Sequence, residues 1–331
     1  MTITFRALFR SLYSMLGSKL VLLSALLVGA AAQAVTVPDL YETAQPVADG
    51  QRDAAFAEAL NTVLVRVSGQ RDAALRVGAV SDPRKYVQRF GFTADNVLQV
   101  LFDSASVDQL LSKAGLPIWG RERPATVVMF GVEEAGAWRW LGSDAPARER
   151  EAIEKVARER GLPLKWPVMD AQERSEASAD SPGLAQAAAR YGANAVLVGR
   201  ARGGVVQWTL LSDEGAAQAS GGLDDGIHLA ADTFAHVFAA SGSSLGSVIV
   251  EVAGISDLDA YAATLNYLEG MTLVRGVALE QVAGEKMRFR LAVRGDAATL
   301  RRAIALDRRL MPTDLADGAA AADRLAFRYQ P

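Results

Sequence analysis

The sequence predicts a mixed α/β and α+β chain built from several small sandwiches, and three observations carry that reading. Short apolar runs such as Thr126-Val-Val-Met-Phe130 alternate with stretches whose apolar residues recur at helical spacing. Met287, Phe289, Leu291 and Val293 fall on one strand face and Arg288, Arg290 and Arg294 on the other, the strictest period of two in the chain, inside a segment that reads β-α-β-β-α-β, the ferredoxin-like motif. With 331 residues the chain exceeds what one hydrophobic core usually holds, which points to two or three domains.

The first 34 residues contain Arg6, Arg10 and Lys19 and no acid, followed by the apolar run from Leu20 to Val28 and the small residues Ala32-Gln33-Ala34. A basic start, a short apolar stretch and an A-x-A site stand in the order of a cleavable export signal. From Leu20 to Ala32 there are 13 residues, and at ~1.5 Å each they fall short of a hydrocarbon core ~30 Å thick. Residues 1–34 are therefore expected to be a signal removed after Ala34, with a retained inner-membrane anchor as the alternative. Losing three cations with the signal takes the net charge from −3 to −6, which gives no electrostatic reason to bind nucleic acid. No later stretch is long enough to span a bilayer.

Residues 35–120 are read as an N-terminal α/β module. Val35–Tyr41 is extended, Asp49-Gly50 turns, and Arg52–Val67 is a helix with Ala55, Phe56, Ala59, Leu60, Val63, Leu64 and Val67 on its buried stripe. Asn96–Phe102 reads as a strand covered on both faces, and Ser104 or Ser106 starts a short helix that Gly115 ends. Residues 121–241 form a central α/β module: the strand from Thr126, a hairpin at Trp138 and Trp140, a charged helix over 147–160, a polar mobile loop over 170–183, a helix over 184–191, the strand Asn194–Gly199, a meander through Val205–Leu211 and Gln218, and a final helix over 223–240. Residues 247–331 form the ferredoxin-like module, with Ser256 and Asp296 capping its helices and a last strand over 325–329.

Half of the residues are hydrophobic and 22% are charged, which excludes collagen-like and wholly disordered chains. The absence of cysteine removes thiol nucleophiles, thiolate metal sites and disulfides, and two histidines leave little for a multi-histidine centre. Gly242-Ser-Ser-Leu-Gly246 matches G-x-S-x-G. The expected order of helix before and strand after is the reverse of a nucleophile elbow, and no histidine follows Ser244, so the segment reads as a linker. His228, Asp232 and His236 share a helix face, but eight residues set the histidines ~12 Å apart along the axis, too far for one ion, so a solvated face is expected. Asp170, Glu173 and Glu176 lie in the polar loop and could be imagined as an acid/base pair, but they are expected in solvent. Arg200-Ala-Arg202-Gly-Gly204 lacks the Lys-Ser/Thr of a P-loop, and there is no G-x-G-x-x-G, so no cofactor is expected. Arg288, Arg290 and Arg294 line one strand face. Pairing with Glu280 is the plain reading and a docking surface for an anionic partner the other; no aromatic accompanies them, as an RNA-reading sheet would need.

Several segments together resemble the bacterial family called domain of unknown function 2066. They are Val37-Pro-Asp-Leu-Tyr41, Ala59-Leu60 with Val63-Leu-Val-Arg-Val-Ser-Gly69, Tyr86-Val-Gln88, Phe102-Asp103, Gly115-Leu-Pro-Ile-Trp-Gly120 with Arg123-Pro124, Arg160-Gly-Leu-Pro-Leu164 with Pro167-Val-Met-Asp170, and Arg190-Tyr-Gly192 through Val196-Leu-Val-Gly199. The resemblance implies an exported Gram-negative envelope protein and brings no catalytic residues. The expectation is thus a periplasmic, non-catalytic binding or adaptor protein whose partners are other envelope proteins. The alternatives are a carboxylate-dependent hydrolase acting on cell-wall glycan and a membrane-tethered module.

Overall fold

The computed structural model describes residues 35–48, 51–143, 148–178, 183–241, 245–314 and 323–331. The expected signal and its cleavage site, the Asp49-Gly50 turn and Ser244 lie outside them. The described residues form a mixed α+β structure in which three main sheets each carry their own helices, with no barrel. No described helix is long and apolar enough to cross a membrane.

The first sheet has three antiparallel strands in the order Glu42–Pro46, Val97–Phe102, Val87–Phe92. The helix Arg52–Ser68 lies on one face, its predicted stripe fully buried against Leu98, Val100 and Phe102. It stops at Gly69, whose φ of +72° is the left-handed conformation that favours glycine. An added Cβ there would also lie 2.2 Å from that of Ala235. The strand Val97–Phe102 is covered on one face only, since Gln99 is exposed on the other. Only Val35–Thr36 of the expected first strand pairs, with Glu122–Arg123; the chain then turns at Asp39 before the strand Glu42–Pro46. The strand Val87–Phe92 was not expected, because most of its side chains are exposed and no apolar alternation marks it. The next helix, Ser104–Lys113, is capped by Asp103, which accepts from the Ser106 amide, and not by a serine.

The second sheet runs Gly215–Gly221, Val205–Ser212, Ala195–Arg202, Thr126–Glu134, Ala137–Trp140, with Leu164–Lys165 also parallel to Thr126–Glu134. Val128, Phe130 and Leu197 face the helices Arg148–Arg160 and Asp225–Phe238. Val127, Met129, Val196 and Val198 face the layer that contains Gly183–Arg190. Burial on both faces explains the continuous apolar runs of these two strands. The segment expected as a mobile loop contains a helix, Ala171–Ser178. Asp170 accepts from the Glu173 amide and Glu173 accepts from the Asp170 amide, a reciprocal cap that starts the helix without any apolar periodicity.

The third sheet has the strand order Val274–Ala283, Lys286–Arg294, Leu245–Ala253, Arg324–Tyr329, Leu310–Pro312. Its first four strands have the ferredoxin-like arrangement, with Leu245–Ala253 antiparallel to Lys286–Arg294 and parallel to Arg324–Tyr329. The helices Leu258–Gly270 and Ala297–Ala305 pack on Val248, Val250, Phe289, Leu291 and Phe327. Asp296 caps the second helix as expected, while Asp257, one residue beyond Ser256, caps the first. The three-residue strand Leu310–Pro312 is too short to register as a period in the sequence.

Candidate functional site

Three arginines, to which the sequence reading gives no role, meet where the first two sheets and their helices join. Arg123 is fully buried with its guanidinium carbon 3.8 Å from the Trp119 ring centroid. It donates to five main-chain carbonyls: Gly120, Arg160, Gly161, Arg66 and Trp119. Burial first, and then the Arg66 charge, disfavours its cationic form. A guanidinium nevertheless stays charged, and here the carbonyl dipoles receive all of its donors in place of a carboxylate. Arg66, on the helix Arg52–Ser68, donates to the carbonyls of Asp39, Glu42 and Glu159.

Arg160 continues this joint and settles the reading of the histidine helix. It donates to the Gly69 carbonyl at 2.8 Å, to Asp232 Oδ1 at 2.7 Å and to His228 Nδ1 at 2.9 Å. Arginine has no acceptor, so Nδ1 accepts and the His228 proton sits on Nε2. Burial, then Arg160 and Arg71, hold the His228 pKa below its ordinary value. Asp232 also meets Arg71 at 3.1 Å. His228 is therefore half-buried against an arginine, and not on the solvated face expected for it; His236 alone is exposed. Arg160 thus occupies the side of His228 and Asp232 on which the two could meet a ligand, and no group of three or more His, Asp or Glu side chains placed to hold a metal ion occurs among the described residues.

Beside the joint lies an open groove of about 660 Å³. One wall is the edge of the first sheet at Glu42, Thr43 and Ala44; the other is the end of the helix Arg148–Arg160, with Lys155, Arg158 and Glu159. Val37, Pro38, Ala157, Leu162 and Pro163 give it an apolar floor. The ladder fixes which main-chain groups face the groove. Phe102 N–H donates to Tyr41 C=O and Val47 N–H donates to Asn96 C=O, so the odd residues bond inward to Val97–Phe102 and the even ones point outward. Glu42 is engaged on both sides, donating to Asp39 C=O and accepting from Arg66. Ala44 presents both N–H and C=O, and no described strand pairs with this edge. The lining holds three carboxylates and one hydroxyl, and no histidine to serve as a base for it. Such a groove can hold an extended chain by main-chain pairing on one side and apolar contact below.

The remaining expected residues lie elsewhere. Glu173 is buried, yet both its oxygens are used, one on the Asp170 amide and the other on the Tyr191 hydroxyl at 2.6 Å. Glu176 pairs with Arg190 at 2.8 Å, while Asp170 is exposed, so the three acids are a helix start and an ion pair. Arg202 ends a strand, pairs with Glu133 and precedes a turn at Gly203 and Gly204. Arg288 pairs with Glu251 at 2.7 Å, Arg290 with Glu280, and Arg294 with Asp108 at 3.3 Å. Asp108 also accepts from Tyr41 at 2.6 Å and pairs with Arg275 at 2.7 Å, which ties the helix Ser104–Lys113 to the third sheet.

Residues 34–120, containing the arginine Arg66 and the groove edge, match the family model described as Domain of unknown function (DUF8605). This overturns the resemblance to the 2066 family. The segments that suggested it are short stretches, none of them specific by itself. No curated protein and no solved structure matches the chain.

Proposed function

We propose that this chain is an exported, periplasmic binding protein that holds an extended segment of an envelope protein in the groove between Glu42–Pro46 and the helix Arg148–Arg160. The unpaired edge at Ala44, set over an apolar floor, carries the reading: an added strand would satisfy two main-chain groups while alternate side chains meet Val37, Leu162 and Pro163. The export signal read at residues 1–34 supports the compartment.

The test places a photo-crosslinking residue at Lys155, exposed on the groove rim, in cells that produce the full chain. The expected result is one discrete adduct in the periplasmic fraction that disappears when Ala44→Pro removes the outward N–H. An adduct that survives Ala44→Pro, or its absence from a folded and exported chain, would overturn the proposal. Sequencing the mature N-terminus checks removal after Ala34.

A further inference from the structure

The open face of the third sheet, opposite its helices, gathers most of that sheet's cations. Register places Arg290 beside Ile249 and Ile249 beside Arg324 in one cross-strand row. The row beyond Arg288 and Glu251 holds Lys286, Ala253 and Arg328. Strands ~4.8 Å apart put the two cations of each row about 10 Å from one another. Arg288 and Arg290 are held by Glu251 and Glu280. Lys286, Arg324 and Arg328 have no ion-pair partner among the described residues, and Lys286 and Arg328 are exposed. Three uncompensated cations thus sit together on a chain whose net charge is −3.

We propose that this face docks an acidic segment of a partner protein, with Lys286, Arg324 and Arg328 meeting its carboxylates. It is a second surface, independent of the groove. Two observations choose this occupant. The register puts Ala253, Ala292 and Ala326 between the cations, Ala278 beside Arg290 on the edge strand and no aromatic ring, so nucleic-acid bases have nothing to stack on. At the far end Asp108 reaches across to Arg275 and Arg294, so the helix Ser104–Lys113 stands against the sheet as a step. A step suits a polypeptide lying along it better than a flat bilayer. Charge complementarity of this kind acts mainly on encounter rate and specificity.

Binding of a labelled octaglutamate peptide to the intact chain, followed by fluorescence anisotropy, tests this. Affinity should fall several-fold between about 50 and about 200 mM salt as screening shortens. The triple variant Lys286→Glu, Arg324→Glu, Arg328→Glu should weaken it roughly tenfold or more. The milder pair Lys286→Gln and Arg328→Gln, both at exposed positions, should weaken it by a smaller factor with an unchanged melting temperature. Reversing Arg89, Arg174 and Arg301, exposed on other surfaces, should leave it unaltered. No peptide binding at low salt, equal weakening by the control reversal, or tighter binding of phosphatidylglycerol vesicles or a single-stranded oligonucleotide through the same three residues would each overturn the proposal.

Discussion

Arg123 donates from Nη2 to the carbonyl of Arg66 at 2.7 Å, so one buried cation is held by the backbone that carries another. The arrangement works because no acid is needed: five carbonyls, oriented by the end of the helix Arg52–Ser68, by Trp119-Gly120 and by the Arg160-Gly161 turn, converge on one guanidinium.

Replacing Arg123 by Leu removes those donors and leaves the carbonyls buried without partners. The expected loss is about 3 kcal/mol or more of unfolding free energy. Arg123→Lys should fall between the two, because an ammonium has three donors and no flat face for Trp119. Urea unfolding midpoints at constant m-value check both.

How much of this was legible in the sequence depends on what each residue pairs with. The strands Thr126–Glu134 and Lys286–Arg294 announce themselves because burial on two faces, or on one, writes directly into the order of apolar residues. The arginine joint leaves no such mark, since its acceptors are carbonyls that every residue carries. The one available hint is position: Arg66 sits between Val65 and Val67, and Arg123 stands just before the most buried strand. Helices built on caps, such as Ala171–Ser178, were legible only as an Asp-x-x-Glu spacing that the surrounding polarity hid. The groove was out of reach for a different reason: its walls come from positions far apart in the chain, and only the ladder register shows which edge is open.

His228 gives the fold a pH dependence. Its pKa is lowered in the folded chain, so below about 6.5, the ordinary value for histidine, the unfolded chain takes up the proton more readily than the folded one. Stability is therefore full above that pH and is lost as pH falls from there towards the depressed folded value, below which the loss stops growing. His228→Gln, which keeps a side-chain acceptor for Arg160, should flatten this slope. Thermal melts between pH 5 and 8 read the difference.

Asp108 accepts from Tyr41 and meets two arginines while itself nearly buried. Asp108→Ala should cost about 1.5–3 kcal/mol, the worth of hydrogen bonds to a charged group. Amide exchange should quicken in the helix Ser104–Lys113. Tyr41→Phe should cost about 1 kcal/mol, and the double variant should cost less than the sum, because the two share one bond.

Glu173 is a structural acid. Glu173→Ala should lose about 1–2 kcal/mol through the broken cap and the lost acceptor of the Tyr191 hydroxyl, which keeps only the Val168 N–H. Glu173→Gln should lose less, since an amide oxygen still accepts from the Asp170 N–H. Denaturant titration of the two variants checks the order.

The joint around Arg123 has one more consequence, for how this chain can change over generations. Every atom that accepts from Arg123 belongs to the peptide backbone, so a mutation in a neighbour's side chain leaves those acceptors in place. Selection then bears on the guanidinium itself, on the Trp119 ring against it and on Gly161, where an added Cβ would lie 2.5 Å from Arg123 Nη1, while the side chains of the other carbonyl donors carry less of the burden.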